Sequence, residues 1–322
     1  LAAIGGTALS LLCVLLAPQL FSLMGADATV QGAGVPYFRL RITGTPFTFI
    51  WFATVGFLRG IQNTRTPMLI AFFVNGFNIL LNYTLIYGKL GLPAMGLQGA
   101  AIGLLFCQFL GASICIGLLF FTSYATEFGL DRWRFNRRRL FSLTRIGSDL
   151  AVRRGALRFS LICATATSAR MGTAVLASHE IAFQLWLFCS DTVDGLAVAG
   201  QALVAKNLGA QRAERAHQVG KKLIIWGCVA GLLFGMIYFT LKEPLIRIFT
   251  GSPDVIRILG ADIFTLLALS QPLNGIVFAL DGCLMGAHDT RFLMWAMLIG
   301  AVGIFTPMTW LSLQMGFGLF GI

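Results

Sequence analysis

Apolar residues fall into nine long runs along the chain, and each run is about long enough to cross a bilayer as a helix. Turn-forming and charged residues separate the runs, as in the segments 25–27 and 251–254. The runs cover residues 1–24, 30–60, 67–88, 96–122, 144–170, 177–206, 219–242, 254–286 and 291–315. This pattern predicts an all-α protein, a polytopic transmembrane helical bundle.

The chain also contains an internal repeat. Residues 1–68 align with residues 227–294 at a constant offset of 226 and without an insertion, and 17 of the 68 aligned pairs are identical. The identical pairs include Gly25 with Gly251 and Pro46 with Pro272. In membrane proteins, internal repeats are typical of transporters that bind their substrate between two halves.

Two of the apolar runs, 30–60 and 254–286, are longer than a helix needs to cross a hydrocarbon core of about 30 Å. Each contains a proline near its middle, Pro46 in the first run and Pro272 in the second. Because proline removes a backbone hydrogen bond, we predict a helix bend or local unwinding at both positions. The alternative is a straight helix that protrudes from the membrane at one end.

The order of the runs predicts the arrangement of the two copies. Six runs lie between residues 1 and 226, so both copies enter the membrane in the same direction, as a parallel repeat. We therefore expect two pseudo-symmetric six-helix lobes: an N-lobe at 1–124 with four of its helices, and a C-lobe at 144–322 with five. A basic loop at 125–143 joins them. A complete repeat would have about twelve spans, so we interpret the chain as truncated at both ends.

Composition excludes an ordinary soluble domain, because 57% of the residues are hydrophobic, only 11% are charged, and the mean hydropathy is +0.80. The net charge of +11 resides mainly between the apolar runs. The positive-inside rule explains that distribution without nucleic acid and predicts cytoplasmic basic loops. We expect a monomeric, multi-pass protein of the plasma (inner) membrane, whose partners are the lipid bilayer and a small organic substrate.

Acidic side chains inside predicted spans are candidates for function, because they are costly to place in a membrane. The candidates are Glu180, Asp191, Asp194, Asp262 and Asp281. A buried carboxylate can take up and release a proton near neutral pH, because burial disfavours its charged form. We interpret Asp281, Asp194 and Asp191 as the candidates for proton or cation coupling. Structural hydrogen bonding, or pairing of Asp191 and Asp194 with Arg153 or Arg154, is the alternative.

Polar amides accompany these acids. Gln271 and Asn274 share a helix face with Asp281, and in another span Asn75, Asn78 and Asn82 share one face. We predict that these five amides line a polar cavity, although hydrogen bonding between helices explains them equally well. Amides can coordinate a cation but cannot carry a proton.

Enzyme motifs are missing from the sequence, which contains no Walker loop, no HExxH motif and no nucleophile elbow. The seven cysteines lie inside apolar runs without a CxxC pair, which favours a packing role over a zinc or disulfide framework. We therefore expect no enzymatic activity, no cofactor and no bound metal apart from a coupling ion.

Several motifs, taken in order, resemble one transporter family. They are Arg41-Ile-Thr-Gly-Thr-Pro46, Gly56-Phe-Leu-Arg-Gly60-Ile-Gln-Asn-Thr-Arg-Thr-Pro67, Asn78-Ile-Leu-Leu-Asn82, Gly96-Leu-Gln-Gly-Ala-Ala101, Ala177-Ser-His-Glu180 and Gly200-Gln-Ala-Leu-Val-Ala-Lys-Asn-Leu-Gly209. Together they resemble the multidrug and toxic compound extrusion (MATE) transporters, and most closely their DinF-like branch. On that resemblance the nine runs correspond to helices 3 to 11 of twelve.

The resemblance implies secondary antiport, in which H⁺ or Na⁺ moves inward while an organic, often cationic or amphipathic compound moves outward by rocking of the two lobes. Many family members have an acid where this chain has Asn82, and another branch has one at Asn274, so the coupling assignments here do not come from the family. We expect coupling to H⁺ rather than Na⁺. The rivals are a flippase for lipid-linked precursors in the same superfamily, and a channel or membrane receptor.

Overall fold

The computed structural model describes residues 2–23, 27–91, 93–121, 137–316 and 318–321, and these residues are almost entirely helical, with no strand among them. The chain divides into two compact units, Leu1–Phe135 and Asn136–Ile322. The first unit contains α1 (Ala2–Leu23), α2 (Ala28–Ile42), α3 (Thr45–Gly60), α4 (Arg65–Tyr87) and α5 (Gly96–Phe121). Much of the basic loop predicted at 125–143, up to residue 136, lies outside the described residues.

The second unit begins with three long helices, α6 (Arg137–Arg170), α7 (Thr173–Gly209) and α8 (Ala213–Thr240). The short helices α9 (Lys242–Phe249) and α10 (Pro253–Ile258) follow, and a π turn at Leu259–Ile263 leads into α11 (Phe264–Gly286). The chain continues through α12 (Thr290–Met297), a π segment at Leu298–Phe305, α13 (Thr306–Met315) and a 3₁₀ turn at Gly318–Gly321.

Seven of the described helices are long and apolar enough to cross a membrane, which confirms a polytopic helical bundle. Two of the nine predicted spans differ from the prediction. The run 30–60 is broken between α2 and α3, so neither piece alone reaches the length of a span. The run 144–170 belongs to α6, whose arginines make it much less apolar than the other long helices. α6 also begins at Arg137, inside the segment predicted to be a loop.

In the first unit, α5 is the helix around which α2, α3 and α4 pack. Ile70 and Val74 of α4 form a buried cluster with Cys107 and Cys115 of α5. The absence of a side chain at Gly111 allows the ring of Trp51 from α3 to lie directly against α5. Small residues therefore set the close spacing of these helices, as is common between membrane helices.

In the second unit, α11 packs along both α7 and α8. The contact with α8 relies on Gly227, Gly231 and Gly235, where an added Cβ would collide with the backbone of α11. The buried Tyr238 donates a hydrogen bond of 2.7 Å to the carbonyl of Leu185 and so ties α8 to α7. This three-helix core has direct backbone contact along one side and a buried hydrogen bond on the other.

Each unit brings a glycine against the repeated proline. A Cβ at Gly6 would lie 2.7 Å from Cα of Pro46, and a Cβ at Gly231 would lie 2.7 Å from Cα of Pro272. The prolines are 226 residues apart, but the glycines are 225 apart. The packing of the first helix of each copy is therefore displaced by one residue from the sequence alignment.

The carbonyl that each proline leaves without its helical partner meets that same neighbouring helix. Pro46 cannot bond to the carbonyl of Ile42, which instead accepts hydrogen bonds from Ser10 Oγ at 2.9 Å and Thr45 Oγ1 at 2.7 Å. In the second unit the corresponding carbonyl, that of Ala268, faces Gly235. In the first copy two hydroxyl groups bond to this oxygen, and in the second copy the backbone of the neighbouring helix packs against it.

The two prolines have different effects on their helices. Pro46 lies in the first turn of α3, where proline is well tolerated, and the chain breaks at Thr43 and Gly44 just before it. Pro272 lies inside α11, which stays α-helical through it, so the local unwinding considered for this position does not occur there. The irregular π turn lies earlier, at Leu259–Ile263. Bending of the helix axis at Pro272 stays a prediction.

The turn that follows each copy of the repeated helix is the same in both units. Gln62 and His288 both adopt the left-handed conformation, with φ of 66° and 62°. The next residues, Asn63 and Asp289, accept hydrogen bonds from the backbone N–H three residues later at 3.1 and 3.3 Å. The constant offset found in the sequence is therefore a repeat of backbone conformation as well.

We expect Gly231→Ala to destabilise the protein by about 1–3 kcal/mol, because the new methyl group overlaps the backbone of α11. Gly147→Ala is the matched control, because a Cβ at that helical position meets no described atom within 4 Å. That control should change stability by no more than about 1 kcal/mol, in the stabilising direction. Thermal unfolding of both variants in one detergent measures the difference, and equal melting temperatures would contradict the packing argument.

Candidate functional site

Asp281 forms an ion pair across the second unit. Its Oδ1 is bonded to a guanidinium nitrogen of Arg153, which joins α11 to α6. The two side chains are 19% and 18% exposed, so water screens the pair only in part. The second terminal nitrogen of Arg153 lies 3.9 Å from the sulfur of Met285. Asp281, one of the three acids predicted to couple transport to a proton or cation, is therefore a paired carboxylate, because the adjacent guanidinium compensates its charge.

Two more polar contacts fix α6 along its length. The buried Thr290, at the start of α12, donates a hydrogen bond of 3.2 Å to Oδ2 of Asp149. Nearer the other end of α6, Thr306 donates to the buried Ser160 at 3.1 Å. Together with the ion pair, these contacts attach α6 to α11, α12 and the start of α13.

Asp191 and Asp194 are both exposed within the second unit, on the middle of α7. Arg153, one of the two arginines considered as a partner for these acids, is bonded to Asp281 on α11. A role of Asp191 and Asp194 in coupling stays a prediction. Asp262, another of the acids inside the predicted spans, lies in the π turn before α11, and its side chain lies outside what the structure describes.

Gln271 and Asn274 form a hydrogen-bonded link between α11 and α7. Gln271 is fully buried, and its amide donates to the carbonyl of Leu267 at 2.7 Å. Asn274 donates to Gln271 Oε1 at 3.3 Å and to the hydroxyl of Ser190 at 3.2 Å. These bonds give both amides a role in joining helices, which was one of the two interpretations of the sequence. Their predicted role in lining a cavity stays a prediction.

The asparagines of α4 separate into two groups. Asn75 is exposed, whereas Asn82 donates to Oδ1 of Asn78 at 3.0 Å and both are partly buried. The remaining polar atoms, Nδ2 of Asn78 and Oδ1 of Asn82, are buried and have no hydrogen-bond partner among the described residues. Oε1 of Gln108 on α5 is also buried and has no hydrogen-bond partner among the described residues. The first unit thus contains buried amides with unused hydrogen-bonding capacity, whereas the second unit has an ion pair and a hydrogen-bonded amide link.

Sequence reasoning missed the partner of Asp281. Arg153 belongs to a charged stretch that was assigned to the start of a span, and the repeat gives it no counterpart, since residues 144–226 lie outside the aligned copies. The sequence did contain a signal for this pair. An acid inside an apolar helix requires a partner, and α6 is the most basic helix of its unit, so an arginine of α6 was the natural partner to consider. Among the described residues, no cluster of three or more His, Cys, Asp or Glu side chains could hold a metal ion.

We expect Arg153→Gln or Asp281→Asn to destabilise the protein by about 2–3 kcal/mol, because either change leaves one charge unpaired in a partly buried site. The double variant should lose less than the sum of the two, with a coupling energy of about 1–2 kcal/mol. Arg154→Gln, an adjacent exposed arginine, is the control and should cost no more than about 0.5 kcal/mol. Additive losses in a double-mutant cycle would show that the pair does not stabilise the α6–α11 contact.

Proteins of similar sequence include some that are named for detoxification or multidrug resistance. The chain is 29% identical over 269 residues to Protein DETOXIFICATION 43 of Arabidopsis thaliana, covering 83% of this chain and 49% of that protein. It is 29% identical over 292 residues to the probable multidrug resistance protein NorM of Thermotoga maritima, covering 87% and 59%. A match to DNA damage-inducible protein F of Escherichia coli, 26% identical over 286 residues and covering 87% and 60%, agrees with the DinF-like resemblance. The chain thus spans about half to three-fifths of these relatives.

Solved structures have the same fold. The crystal structure of the Vibrio cholerae MATE transporter VcmN in the bent form superposes with a TM-score of 0.86, over 99% of this chain and 71% of that one, at 20% sequence identity. The MatE family model matches residues 1–84 and 157–311, which include most of both units. The sequence motifs, the repeated helical architecture and this match over both halves establish that the chain belongs to the MatE family of membrane transporters.

Proposed function

We propose that the full-length protein is a secondary antiporter that exports organic, often cationic or amphipathic compounds in exchange for H⁺ by rocker-switch alternating access. The observation that carries this proposal is the MatE family match in both halves of the repeat. Relatives named as multidrug resistance proteins support export of drug-like compounds. We further propose a monomer in the plasma (inner) membrane with its basic segments in the cytoplasm, as the positive-inside rule suggests.

The ion pair on α6 and α11 supports H⁺ rather than Na⁺ as the coupling ion. A proton on Asp281 removes the charge that holds Arg153, and the α6–α11 contact then loses its electrostatic part. A Na⁺ ion at the same carboxylate would lie beside the guanidinium, and like charges repel at that distance. In this mechanism proton uptake by Asp281 releases α6, and proton loss restores the pair. Asp191 and Asp194 are the secondary coupling candidates.

Transport by the full-length protein in proteoliposomes tests the coupling ion. With a fluorescent organic cation inside the vesicles, an imposed pH gradient should drive efflux and a Na⁺ gradient of equal size should not. Asp281→Asn should abolish the pH-driven component, because an amide cannot exchange the proton. Asp191→Asn and Asp194→Asn should each leave part of the transport if they have a secondary role.

Glu243→Gln is the matched control, because it neutralises an exposed acid on α9 outside the candidate site. It should transport at the rate of the unaltered protein. Unchanged pH-driven efflux by Asp281→Asn would remove Asp281 from the coupling role, and efflux driven only by Na⁺ would refute proton coupling. If neither gradient moves any tested amphiphile, the antiporter proposal fails.

A second candidate function, the flipping of anionic lipid-linked precursors, gains support from two arginines of α6. Arg154 and Arg158 are exposed one helical turn apart, and neither forms an ion pair with a described residue. Arg158 lies twelve residues from the end of α6 at Arg170, a rise of about 18 Å, which is near mid-membrane depth. Charges at that depth usually face protein or water instead of lipid, and two guanidinium groups favour an anionic substrate.

Substrate charge separates the two functions. If the protein moves anionic substrates, Arg154→Gln/Arg158→Gln should reduce their transport at least tenfold, because two charge-assisted contacts are lost, each worth about 1.5 kcal/mol or more. Export of organic cations should remain or increase. Arg145→Gln, an exposed arginine nearer the start of α6, is the control. Equal effects of the double variant on anions and cations would remove this second candidate.

A further inference from the structure

A polar cleft opens where α7 ends and α8 begins, and none of the residues that line it belongs to the ion pair or the amide network. Its volume is about 290 Å³. The residues that line it are Asn207, Arg215, Gln218, Val219 and Lys222. Two of the five are cationic and two carry amides, so the cleft offers positive charge and hydrogen-bond donors at one place.

The position of the cleft along α8 places it at headgroup depth. From residue 223 to residue 240, α8 contains 18 residues without a charge. These rise by about 27 Å and match the hydrocarbon core of a bilayer. The cleft residues of α8 occupy the two turns immediately before that stretch, and Asn207 lies near the end of α7 at Gly209. The cleft therefore lies in the zone of lipid phosphates.

The side chains just beyond the cleft suit a lipid neighbour. Ile225 and Trp226 follow Lys222 by one turn, and each is 62% exposed. A tryptophan at the boundary between charged and apolar segments is typical of the membrane interface. A ligand held in the cleft would thus have apolar side chains beside it on the hydrocarbon side.

The charge of this region is strongly positive. Residues 206–222 include five basic residues and a single acid, Glu214. Glu214 lies 3.5 Å from the amide of Gln218, and it forms no ion pair with Arg215 or Lys222. Among the described residues no carboxylate neutralises those two cations. A neighbouring anion would supply the missing charge.

The turn between the two helices holds the cleft in shape. Gln211 adopts the left-handed conformation with φ of 57°, and the N–H of Arg212 bonds to the carbonyl of Asn207 at 2.9 Å. One N–H of the Asn207 side chain donates to the carbonyl of Leu203 at 2.9 Å. The second N–H of that amide and the cations of α8 remain for a ligand.

We propose that this cleft binds the phosphate-bearing headgroup of an anionic phospholipid. Arg215 and Lys222 pair with the phosphate oxygens, the amides of Asn207 and Gln218 donate hydrogen bonds, and an acyl chain lies along Ile225 and Trp226. Such a site attaches the α7–α8 hairpin to the anionic leaflet. The proposal is independent of the transported substrate and of the coupling ion.

Native mass spectrometry of the full-length protein, titrated with phosphatidylglycerol or phosphatidylcholine in detergent, tests the site. Phosphatidylglycerol should be retained in preference to phosphatidylcholine. Arg215→Gln/Lys222→Gln should weaken retention of phosphatidylglycerol by about fivefold for each charge removed, or about 25-fold in total. Arg215→Lys/Lys222→Arg keeps both charges and should retain binding within about threefold.

Arg212→Gln/Lys221→Gln is the matched control, because it removes two charges from the same stretch without altering the residues that line the cleft. It should weaken retention by less than about threefold. Equal weakening by both double variants would show a general surface charge and overturn the site. Displacement of the lipid by inorganic phosphate at a comparable concentration would assign the cleft to a soluble anion and overturn the lipid proposal. If the double variant does not fold, the single variants Arg215→Gln and Lys222→Gln replace it in the titration, and each should weaken retention by about fivefold.

Discussion

The contact between a glycine and the repeated proline is the constraint on which the packing of each unit depends. Proline leaves one helical carbonyl without its N–H partner, and such a group is costly inside a membrane. In both units the neighbouring helix comes close enough to meet this part of the backbone, and only a glycine, Gly6 or Gly231, permits the approach. The prolines are shared positions of the repeat, and each packs against a glycine of the first helix of its copy although the two glycines are one position out of alignment.

The repeat was fully visible in the sequence, and so was much of the fold that follows from it. The turns at Gln62 and His288 match at the predicted offset, because the local residues determine their conformation. The one-residue displacement of Gly6 against Gly231 was not predictable, because it depends on how two helices pack and not on either helix alone. The same limit applies to Arg153, whose pairing with Asp281 joins segments 128 residues apart.

The two units share backbone geometry and differ in the polar groups that they bury. The second unit closes its polar groups into pairs, with Arg153 bonded to Asp281 and Asn274 bonded to Ser190. The first unit leaves atoms of Asn78 and Asn82 buried without a partner among the described residues. A buried amide without a hydrogen-bond partner lowers the stability of the folded protein, so binding of water or an ion at these atoms would be favourable. Sequence analysis identified these amides from their spacing but could not tell which would be satisfied.

The ion pair and the cleft of the second unit both lie toward one end of the core that α7, α8 and α11 form. Their position determines which helix protonation can release. Asp281 is five residues from the end of α11, and beside it a Cβ at Gly220 of α8 would contact the sulfur of Cys283 at 3.7 Å. The cleft of Arg215 and Lys222 flanks that same region of α8. Backbone contact through glycine holds α8 to α11 whatever the pH, whereas α6 packs on α12, the π segment and α13 and is linked to α11 by the ion pair. In the proposed mechanism, protonation can therefore loosen α6 while a lipid-anchored core of α7, α8 and α11 stays intact.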